Sequence, residues 1–306
     1  AVDIGGTTTD LAILINRSPL LAPEGIRIST HKTHIRSLRT YSFGIGGDSF
    51  VRVENRMLAI GPERKGPAMA FGGDVPTPTD ALIVLGKIKK GDVKKSFQGI
   101  SRLAASLNLS TEETAESIMD LTTKKILKEI ENMVDRANNK PVYTIHELLS
   151  GYKIKPVKVL VLGGPAKYFA EYINKLSQYN ASTVPSWTVA NAIGAAIAKT
   201  TSTVTLLADT EQGVISAPEE NFREMTSHMI NKTIMMEKAF ALLKKKAVTH
   251  GCETEDLDFE VIEYLEFNMV RGFYTAGKNL RIKVQIKPGL THGYDVKPGI
   301  NAETGV

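Results

Sequence analysis

Two short hydrophobic runs, residues 1–4 and 11–15, lie at the start of the chain on either side of a glycine-containing turn. Strand-like runs around such a turn predict a tight β-hairpin. Residues 33–43 alternate between apolar and polar positions with a period near two, which predicts a half-buried strand. Shorter strand-like runs follow at 51–53 and 57–60, so β-structure is expected up to residue 60.

Helical spacing of apolar residues replaces this pattern from about residue 81 to about residue 150. The clearest helix begins with the capping-box sequence Ser110-Thr111-Glu112-Glu113. The apolar residues that follow lie on one helix face: Ile118, Leu121, Ile126, Leu127, Ile130 and Val134. This face is expected to pack the helix against the rest of its domain.

A strand and two helices are predicted next. The continuous apolar run at 157–162 is typical of a strand in a sheet that is covered on both faces. It ends in Gly163-Gly164-Pro165 and leads into a predicted helix over 167–178. Residues 189–198 predict a further helix, so rich in small residues that a second backbone is expected to pack close against it.

The pattern changes again beyond residue 203. The predicted elements there are a hairpin, a long helix and two strands, at 203–207 with 213–216, 221–249, 258–268 and 279–286. We therefore expect two domains, 1–205 and 206–306, the second of α+β type. A helical insertion is expected in the first domain at about 85–150.

Composition adds limits to this picture. The 306 residues are 42% hydrophobic, enough for a sizeable core and about two domains. The formal net charge is +5, but the lysines lie in scattered short runs without the interleaved aromatic residues of a base-stacking surface. We therefore expect no nucleic-acid partner. Cys252 is the one cysteine, which excludes an internal disulfide and suits a reducing compartment.

The chain shows no targeting or membrane signal. No apolar run approaches the ~20 residues that a membrane-spanning helix needs, and the start lacks the basic-then-apolar pattern of a signal peptide. We expect a cytoplasmic protein without a membrane partner. The chain opens inside a predicted strand, so we interpret residue 1 as a cut in a longer polypeptide. His31 and His34 would lie on opposite faces of a strand, which argues against a zinc site.

The turn of the first hairpin carries the strongest chemical signal. Gly5 and Gly6 have no Cβ, so the backbone can take positive φ or approach another group closely, and successive N–H groups can converge on a phosphate. Asp3 enters the turn and Asp10 leaves it, which places two carboxylates where phosphate-bound Mg²⁺ requires one or two oxygens. The alternative is an ordinary Gly-Gly hairpin.

A second glycine turn, residues 46–49, follows the strand predicted at 33–43. It is interpreted either as a second anion-holding turn or as a substrate site, with Asp48 as the acid–base candidate. Alternatively, Asp48 and Ser49 are ordinary turn residues that bond their own backbone. The residue pattern alone leaves both interpretations open.

A loop rich in proline and glycine occupies residues 61–80. Such a long segment without regular structure is unusual in a compact domain unless it has a function. Arg64 and Lys65 either neutralise a phosphate or a substrate carboxylate there, or are simply solvated. Asp80 either caps a helix that starts near Ala81 or serves as a metal-binding or catalytic carboxylate.

Three signals occur in one order along the chain: the hairpin at 3–7, the strand ending in Leu162-Gly163-Gly164-Pro165, and the small-residue helix at 189–196. This order resembles the second half of the actin, sugar-kinase and heat-shock-chaperone ATPase superfamily, over about residues 1–200. The resemblance implies an α/β fold: a ribonuclease H-like (actin-like ATPase) domain with inserted helices, followed by the C-terminal α+β region.

The turns at 3–10, 46–49, 61–67 and 76–81 together resemble the hydantoinase A/5-oxoprolinase family. That family includes ATP-dependent openers of five-membered cyclic amides and the β subunits of acetone carboxylase-like enzymes. Its members usually carry two such hairpins, and this chain shows one, so it is most similar to the C-terminal half of such an enzyme.

The resemblance implies ATP and Mg²⁺ as cofactors and the hydrolysis of a cyclic amide such as hydantoin or 5-oxoproline. Phosphoryl transfer depends mainly on positioning and charge neutralisation. The expected catalytic residues are Asp3, Asp10, Asp48 and Asp80, of which Asp3 and Asp10 hold the metal. The expected nucleotide-binding residues are Gly5, Gly6, Thr7, Thr8, Gly46, Gly47, Ser49, Gly163, Gly164 and Pro165. Glycine after a buried strand also often just begins a turn.

Two further functions stay open. The chain is alternatively a nucleotide-binding subunit of an acetone carboxylase-like complex, or a non-catalytic, actin-like module that senses nucleotide. The expected partners are a small cyclic amide, the missing N-terminal half of the polypeptide, and a partner subunit or a second copy of the chain.

Overall fold

The computed structural model describes residues 1–15, 18–22, 25–28, 30–33, 37–139, 153–225, 230–254, 257–291 and 293. The chain divides into two compact units, Ala1–Ala192 and Ile193–Val306, and is of mixed α/β type. The domain boundary expected after residue 205 and the helical insertion at 85–150 stay predictions. His34, His146, His228 and His292 lie outside the described residues.

A five-stranded mixed sheet forms the centre of the first unit, in the order β13-β12-β1-β2-β9. Its strands are β1 (Val2–Ile4), β2 (Thr9–Ala12), β9 (Thr40–Phe43), β12 (Lys158–Leu162) and β13 (Asn180–Thr183). β1 pairs antiparallel with β2, which confirms the predicted hairpin, and parallel with β12. The parallel pairing brings the end of β12 beside the end of β1.

Short two-residue strands fill the connection between β2 and β9. They are β3 (Leu14–Ile15), β4 (Ser18–Pro19), β5 (Leu21–Ala22), β6 (Arg27–Ile28), β7 (His31–Lys32) and β8 (Ser37–Leu38). The single strand predicted over 33–43 is wrong, because β8 pairs with β5 whereas β9 pairs with β2. A hairpin of β10 (Val51–Glu54) and β11 (Met57–Ile60) follows.

Three helices follow, α1 (Pro78–Val84), α2 (Val93–Leu107) and α3 (Thr111–Asn138); they pack against one another, and α3 contacts strand β2 of the five-stranded sheet. The capping box predicted for α3 is confirmed, since Ser110 and Glu113 bond each other's backbone N–H groups. The apolar face of α3 is buried in a core shared with β1 and β12, which contains Ile118, Ile126 and Val161. Burial of this face, rather than helix propensity, stabilises the helix.

The strand–turn–helix unit after residue 157 is confirmed as β12 followed by α4 (Ala166–Leu176). The small-residue helix is also present, as α5 (Ala190–Ile197). None of its residues is buried, and a Cβ added at Gly194 would have no neighbour within 4 Å. No described residue packs closely against it, so the close packing expected there stays a prediction.

The second unit contains an antiparallel sheet in the order β16-β15-β14-β18-β17. Its strands are β14 (Thr203–Asp209), β15 (Val214–Ala217), β16 (Phe222–Met225), β17 (Phe259–Arg271) and β18 (Tyr274–Ile286). The hairpin predicted at 203–216 is confirmed. The helix predicted over 221–249 begins later, as α6 (Lys232–Thr249), because β16 pairs with β15 and Asn231 caps the helix.

Helix α6 covers one face of this sheet. Met235 and Leu243 of the helix are fully buried against Leu206 and Ile282 of the strands, in a core separate from that of the first unit. In the part of the chain that the structure describes, no helix has the length and apolar character needed to cross a membrane.

Candidate functional site

The hairpin register places Asp3 directly opposite Asp10. Neighbouring residues of a strand point to opposite faces, so both carboxylates lie on the same face of the sheet. Ile4 and Leu11 point to the other face and are buried in the core, whereas Asp3 and Asp10 are only partly buried. The core therefore fixes the orientation of both carboxylates.

Burial, together with the negative charge of Asp10, raises the pKa of the Asp3 carboxyl. The Ser42 hydroxyl of the neighbouring strand β9 donates a hydrogen bond to Asp10 Oδ1. Two adjacent carboxylates that repel each other fit a divalent cation, and Mg²⁺ commonly takes one or two carboxylates besides phosphate oxygens. Among the residues with described positions, no group of three or more His, Cys, Asp or Glu side chains could hold a metal ion.

Asp3→Asn is expected to stabilise the metal-free protein slightly at neutral pH. A carboxyl whose folded-state pKa is raised lowers the free energy of unfolding as pH rises above its unfolded pKa, and asparagine removes this loss. The gain in melting temperature should be about 1 °C, because the partly exposed charge is screened by water. Thermal melts from pH 3 to 8 with and without Mg²⁺ measure it. Equal melting temperatures of both proteins across this range would contradict the expectation.

The turn between β1 and β2 leaves three backbone donors open. The Gly5 N–H donates to Thr8 O at 2.9 Å, whereas the N–H groups of Gly6, Thr7 and Thr8 have no acceptor in the described part of the chain. All three residues are exposed, so an anion can reach these donors. Neither Gly5 nor Gly6 has positive φ. Their lack of a side chain instead lets other groups approach the backbone closely: a Cβ at Gly5 would be 3.3 Å from Thr8 O, and one at Gly6 would collide with the Asp48 carboxylate.

The second glycine turn lies directly on the first. The Gly47 N–H donates to Gly5 O at 2.9 Å and the Asp48 N–H to Gly6 O at 2.7 Å. A Cβ at Gly46 would be 2.6 Å from both of these carbonyl oxygens, so only glycine fits there. The two turns therefore form one rigid backbone unit.

The remaining donors of the second turn are also used within the protein. The Gly46 N–H donates to Ser49 Oγ at 2.8 Å, and the Ser49 N–H donates to Gly46 O at 3.2 Å. Ser49 is thus a buried turn residue that bonds its own backbone, as one of the two interpretations of the sequence has it. The backbone N–H groups of Gly46, Gly47 and Ser49 thus all have acceptors within the protein, and the binding role expected for these residues stays a prediction.

Asp48 differs from its neighbours because its side chain points to the first turn. A Cβ at Gly6 would be 2.7 Å from Asp48 Oδ2. Arg64, from the segment between β11 and α1, donates to Asp48 Oδ2 at 2.9 Å and to Thr7 Oγ1 at 3.0 Å. Three distant segments of the chain thus meet at the exposed edge of the hairpin.

Asp80 lies apart from this edge and is fully buried. Helix α1 begins at Pro78 rather than near Ala81, and its N-cap is Thr77 rather than Asp80. Pro78 has the φ that a first helical residue needs, and the Thr77–Asp80 spacing is that of a capping box. Asp80 is therefore the second residue of the capping box: its carboxylate accepts from the backbone N–H of Thr77, and its own N–H donates to the Thr77 hydroxyl. Its side chain is surrounded by protein.

The turn after β12 completes the site. Gly163 has φ +99°, and a Cβ there would be 2.2 Å from Ile4 O and 2.9 Å from Asp3 Oδ1. The Gly163 N–H donates to Trp187 O at 2.9 Å. Gly164 has nothing within 4 Å of its Cβ position, so open space lies above it. A Cβ at Gly47 would be 3.8 Å from Pro165 Cγ, so this turn also borders the second glycine turn.

The structure thus brings together the predicted residues of three turns, 3–10, 46–49 and 163–165, and leaves Asp80 outside. It adds three residues that the sequence reasoning missed: Ser42, Thr79 and Trp187. Thr79 donates to Gly47 O through both its N–H and its hydroxyl, at 2.8 and 2.7 Å. Strand alternation could have indicated Ser42, whereas Thr79 and Trp187 carry no local signal.

Comparisons with known proteins identify a family and a similar fold. The family model described as hydantoinase/oxoprolinase matches residues 1–204. The acetophenone carboxylase gamma subunit of Aromatoleum aromaticum is 27% identical over 153 residues, which cover 44% of this chain and 21% of that protein. A nucleotide-free structure of acetone carboxylase, from a study of ATP-dependent acetone carboxylation, has a TM-score of 0.60 at 16% identity.

The acetone carboxylase match covers 94% of this chain and 46% of the other, and at this identity it shows a shared fold. This chain therefore spans about half of the matched acetone carboxylase chain and about a fifth of the acetophenone carboxylase subunit. The family match covers the hairpin, both further glycine turns and the helices between them. The chain belongs to the hydantoinase/oxoprolinase family.

Proposed function

We propose that this chain supplies one half of an ATP-binding site of the actin-like, ribonuclease H-like type, in an enzyme that opens a five-membered cyclic amide. The convergence of three glycine turns around the Asp3–Asp10 pair carries this proposal. Three open N–H groups, those of Gly6, Thr7 and Thr8, lie at one end of that hairpin. Donors for phosphate and carboxylates for a cation are thus neighbours, as phosphoryl transfer requires.

Each part of the site has a proposed role. The N–H groups of Gly6 and Thr7 bind phosphate oxygens, and Asp3 and Asp10 hold Mg²⁺ directly or through water. The open space above Gly164 admits the flat adenine base. Bound ATP would supply a phosphoryl group to the ring amide oxygen with ADP as the leaving group, and water would then open the activated ring and release phosphate.

Asp48 is the proposed acid–base residue. Its carboxylate lies at the exposed edge of the hairpin and is only partly buried, so it can exchange protons with a substrate or with water. Asp80 is left out of the proposed chemistry because five protein donors occupy its carboxylate.

A nucleotide-binding subunit of a carboxylase complex is the second candidate function. Two similar proteins, an acetophenone carboxylase subunit and an acetone carboxylase, favour it. The helix α5 exposes an apolar surface that includes Ile193, which is 44% exposed, and such a surface suits a partner subunit or the N-terminal half of a longer polypeptide. A cytoplasmic location stays a prediction.

ATP hydrolysis by the full-length protein should rise at least about tenfold with hydantoin or 5-oxoproline, and Asp3→Asn or Asp10→Asn should remove this rise. Phosphate release with each compound measures it. Asp92→Asn is the matched control, because Asp92 is an exposed N-cap that asparagine replaces well. Loss of the rise in both site variants, with the control unaffected, supports the proposal.

The other outcomes separate the candidates. Turnover that requires a co-purified partner and no cyclic amide would favour the carboxylase subunit. Nucleotide binding with a conformational change and no turnover would favour a nucleotide-sensing module. Because the chain spans about half of the acetone carboxylase chain it matches, we expect this chain alone to bind ATP weakly.

A further inference from the structure

Arg64 joins three segments at the edge of the hairpin. Its Nη1 donates to Thr7 Oγ1 at 3.0 Å, its Nη2 to Asp48 Oδ2 at 2.9 Å, and its Nε to Gly66 O at 3.2 Å. The Arg64 side chain is 41% exposed and that of Asp48 is 18% exposed. The ion pair therefore lies at the surface, with its carboxylate on the inner side.

The guanidinium has unused capacity. Arginine carries five N–H donors in a fixed plane, and the bonds to Thr7, Asp48 and Gly66 use three of them. The Thr7 hydroxyl accepts from Arg64, which leaves its own hydrogen free to be donated. These donors lie next to the open N–H group of Thr7, so a phosphate bound there has a cation within reach.

Asp48 competes for the same cation. As long as the Asp48 carboxylate is paired with Arg64, the positive charge is neutralised and the carboxylate is engaged. A terminal phosphate group carries more negative charge than one carboxylate and matches the planar fork of arginine equally well. An exposed ion pair of this kind contributes little free energy by itself, so a phosphate can displace it.

We propose that Arg64 and Asp48 form a phosphate-sensitive latch. A phosphate that binds at Gly6 and Thr7 takes Arg64 over from Asp48, and the freed Asp48 carboxylate becomes available as the base of the reaction. This inference rests on the proposed nucleotide site. It adds that Arg64 is a phosphate-binding residue and that Asp48 is held inactive until phosphate arrives.

The latch predicts that substitutions of Arg64 and Asp48 change the affinity for phosphate ligands in opposite directions. Arg64→Gln should weaken ATP and pyrophosphate binding about tenfold to a hundredfold, because a charge-assisted hydrogen bond is lost. Asp48→Asn should tighten binding about two- to fivefold, because the competitor for Arg64 loses its charge. Arg64→Lys should restore part of the affinity, since lysine keeps the charge without the planar fork. If the ion pair had only a structural role, Arg64→Gln and Asp48→Asn would both bind these ligands as tightly as the wild-type protein or more weakly.

Calorimetric titration of Mg·ATP, Mg·ADP and pyrophosphate onto the full-length protein measures these affinities. Arg136→Gln is the matched control, because it removes an exposed arginine of an ion pair on α3, Arg136–Glu129 at 3.4 Å. Melting temperatures verify that each variant is folded. If Arg64→Gln does not fold, Arg64→Lys replaces it in the titrations.

Tighter binding by Asp48→Asn together with weaker binding by Arg64→Gln supports the latch. If the wild-type protein binds these ligands and neither variant shifts in its expected direction, the latch is overturned while the proposed nucleotide site stands. If the wild-type protein binds none of them, both the latch and the proposed function fail.

Discussion

Asp80→Asn is expected to lower the free energy of unfolding by about 3–5 kcal/mol, enough to unfold much of a marginally stable domain. Asp80 Oδ1 accepts from Ala70 N at 3.0 Å and from Ser96 Oγ at 2.6 Å. Its Oδ2 accepts from Met69 N, Thr77 N and Thr77 Oγ1 at 3.0, 3.0 and 2.9 Å. Asparagine turns one of these oxygens into an NH₂ group that faces buried donors.

The cost follows from the donors that lose their acceptor. In either orientation of the asparagine amide, one or two buried backbone N–H groups lose their acceptor, and each costs about 1–3 kcal/mol, whereas the hydroxyls of Thr77 and Ser96 have to reorient to accept from the new NH₂ group. Urea unfolding followed by circular dichroism measures the change.

Glu113→Gln is the control that separates a capping effect from a burial effect. Glu113 has the same position in the capping box of α3 as Asp80 has in that of α1, but it lies on the surface. Hydrogen bonds from Ser110 lower the pKa of Glu113, so its contribution to stability is present above the usual glutamate pKa and lost as pH falls below it. The loss for Glu113→Gln should be clearly smaller. Equal losses in both variants would show that burial of Asp80 has no part in the effect.

Gly163→Ala is expected to lower the free energy of unfolding by about 2–5 kcal/mol. Gly163 has φ +99°, where an L-residue is strained, and its Cβ would lie 2.2 Å from Ile4 O. Because Ile4 belongs to β1, the collision would push the strand that carries Asp3. The variant should therefore also weaken the response of the melting temperature to Mg²⁺ in the proposed site.

Gly164→Ala provides the comparison, since it changes the adjacent glycine in the same turn. Gly164 does not have positive φ, and nothing lies within 4 Å of its Cβ position. Gly164→Ala should change the free energy of unfolding by less than about 0.5 kcal/mol. Thermal and urea unfolding of both variants measure the two changes. If Gly164→Ala costs as much as Gly163→Ala, the turn does not have the geometry described above.

Local sequence patterns predicted much of the fold because their physical causes are local. Alternation of apolar residues and a Gly-Gly turn are enough for the hairpin of β1 and β2. The sequence Ser110 to Glu113 is enough for the start of α3, since both partners of the capping box lie within four residues. The same holds for β12 and α4, where a buried run ends in glycine.

Several other predictions failed where a distant partner decides the outcome. Residues 33–43 alternate as one strand, but two different strands pair with their described parts, β5 with β8 and β2 with β9. Residues 222–225 fall within the helix predicted over 221–249, but they pair with β15 and form strand β16 instead.

The sequence by itself determined the types of residues in the site: the glycine turns and the carboxylates Asp3 and Asp10. Only the tertiary structure decided which backbone N–H groups stay open. The N–H groups of Gly47 and Asp48, for example, donate to carbonyl oxygens of residues more than forty positions earlier in the chain. It also decided that Arg64 meets Asp48 and that Asp80 is buried. The residue types of a turn follow from neighbours in the sequence. Which acceptor each backbone donor finds depends instead on which distant segments the core brings together.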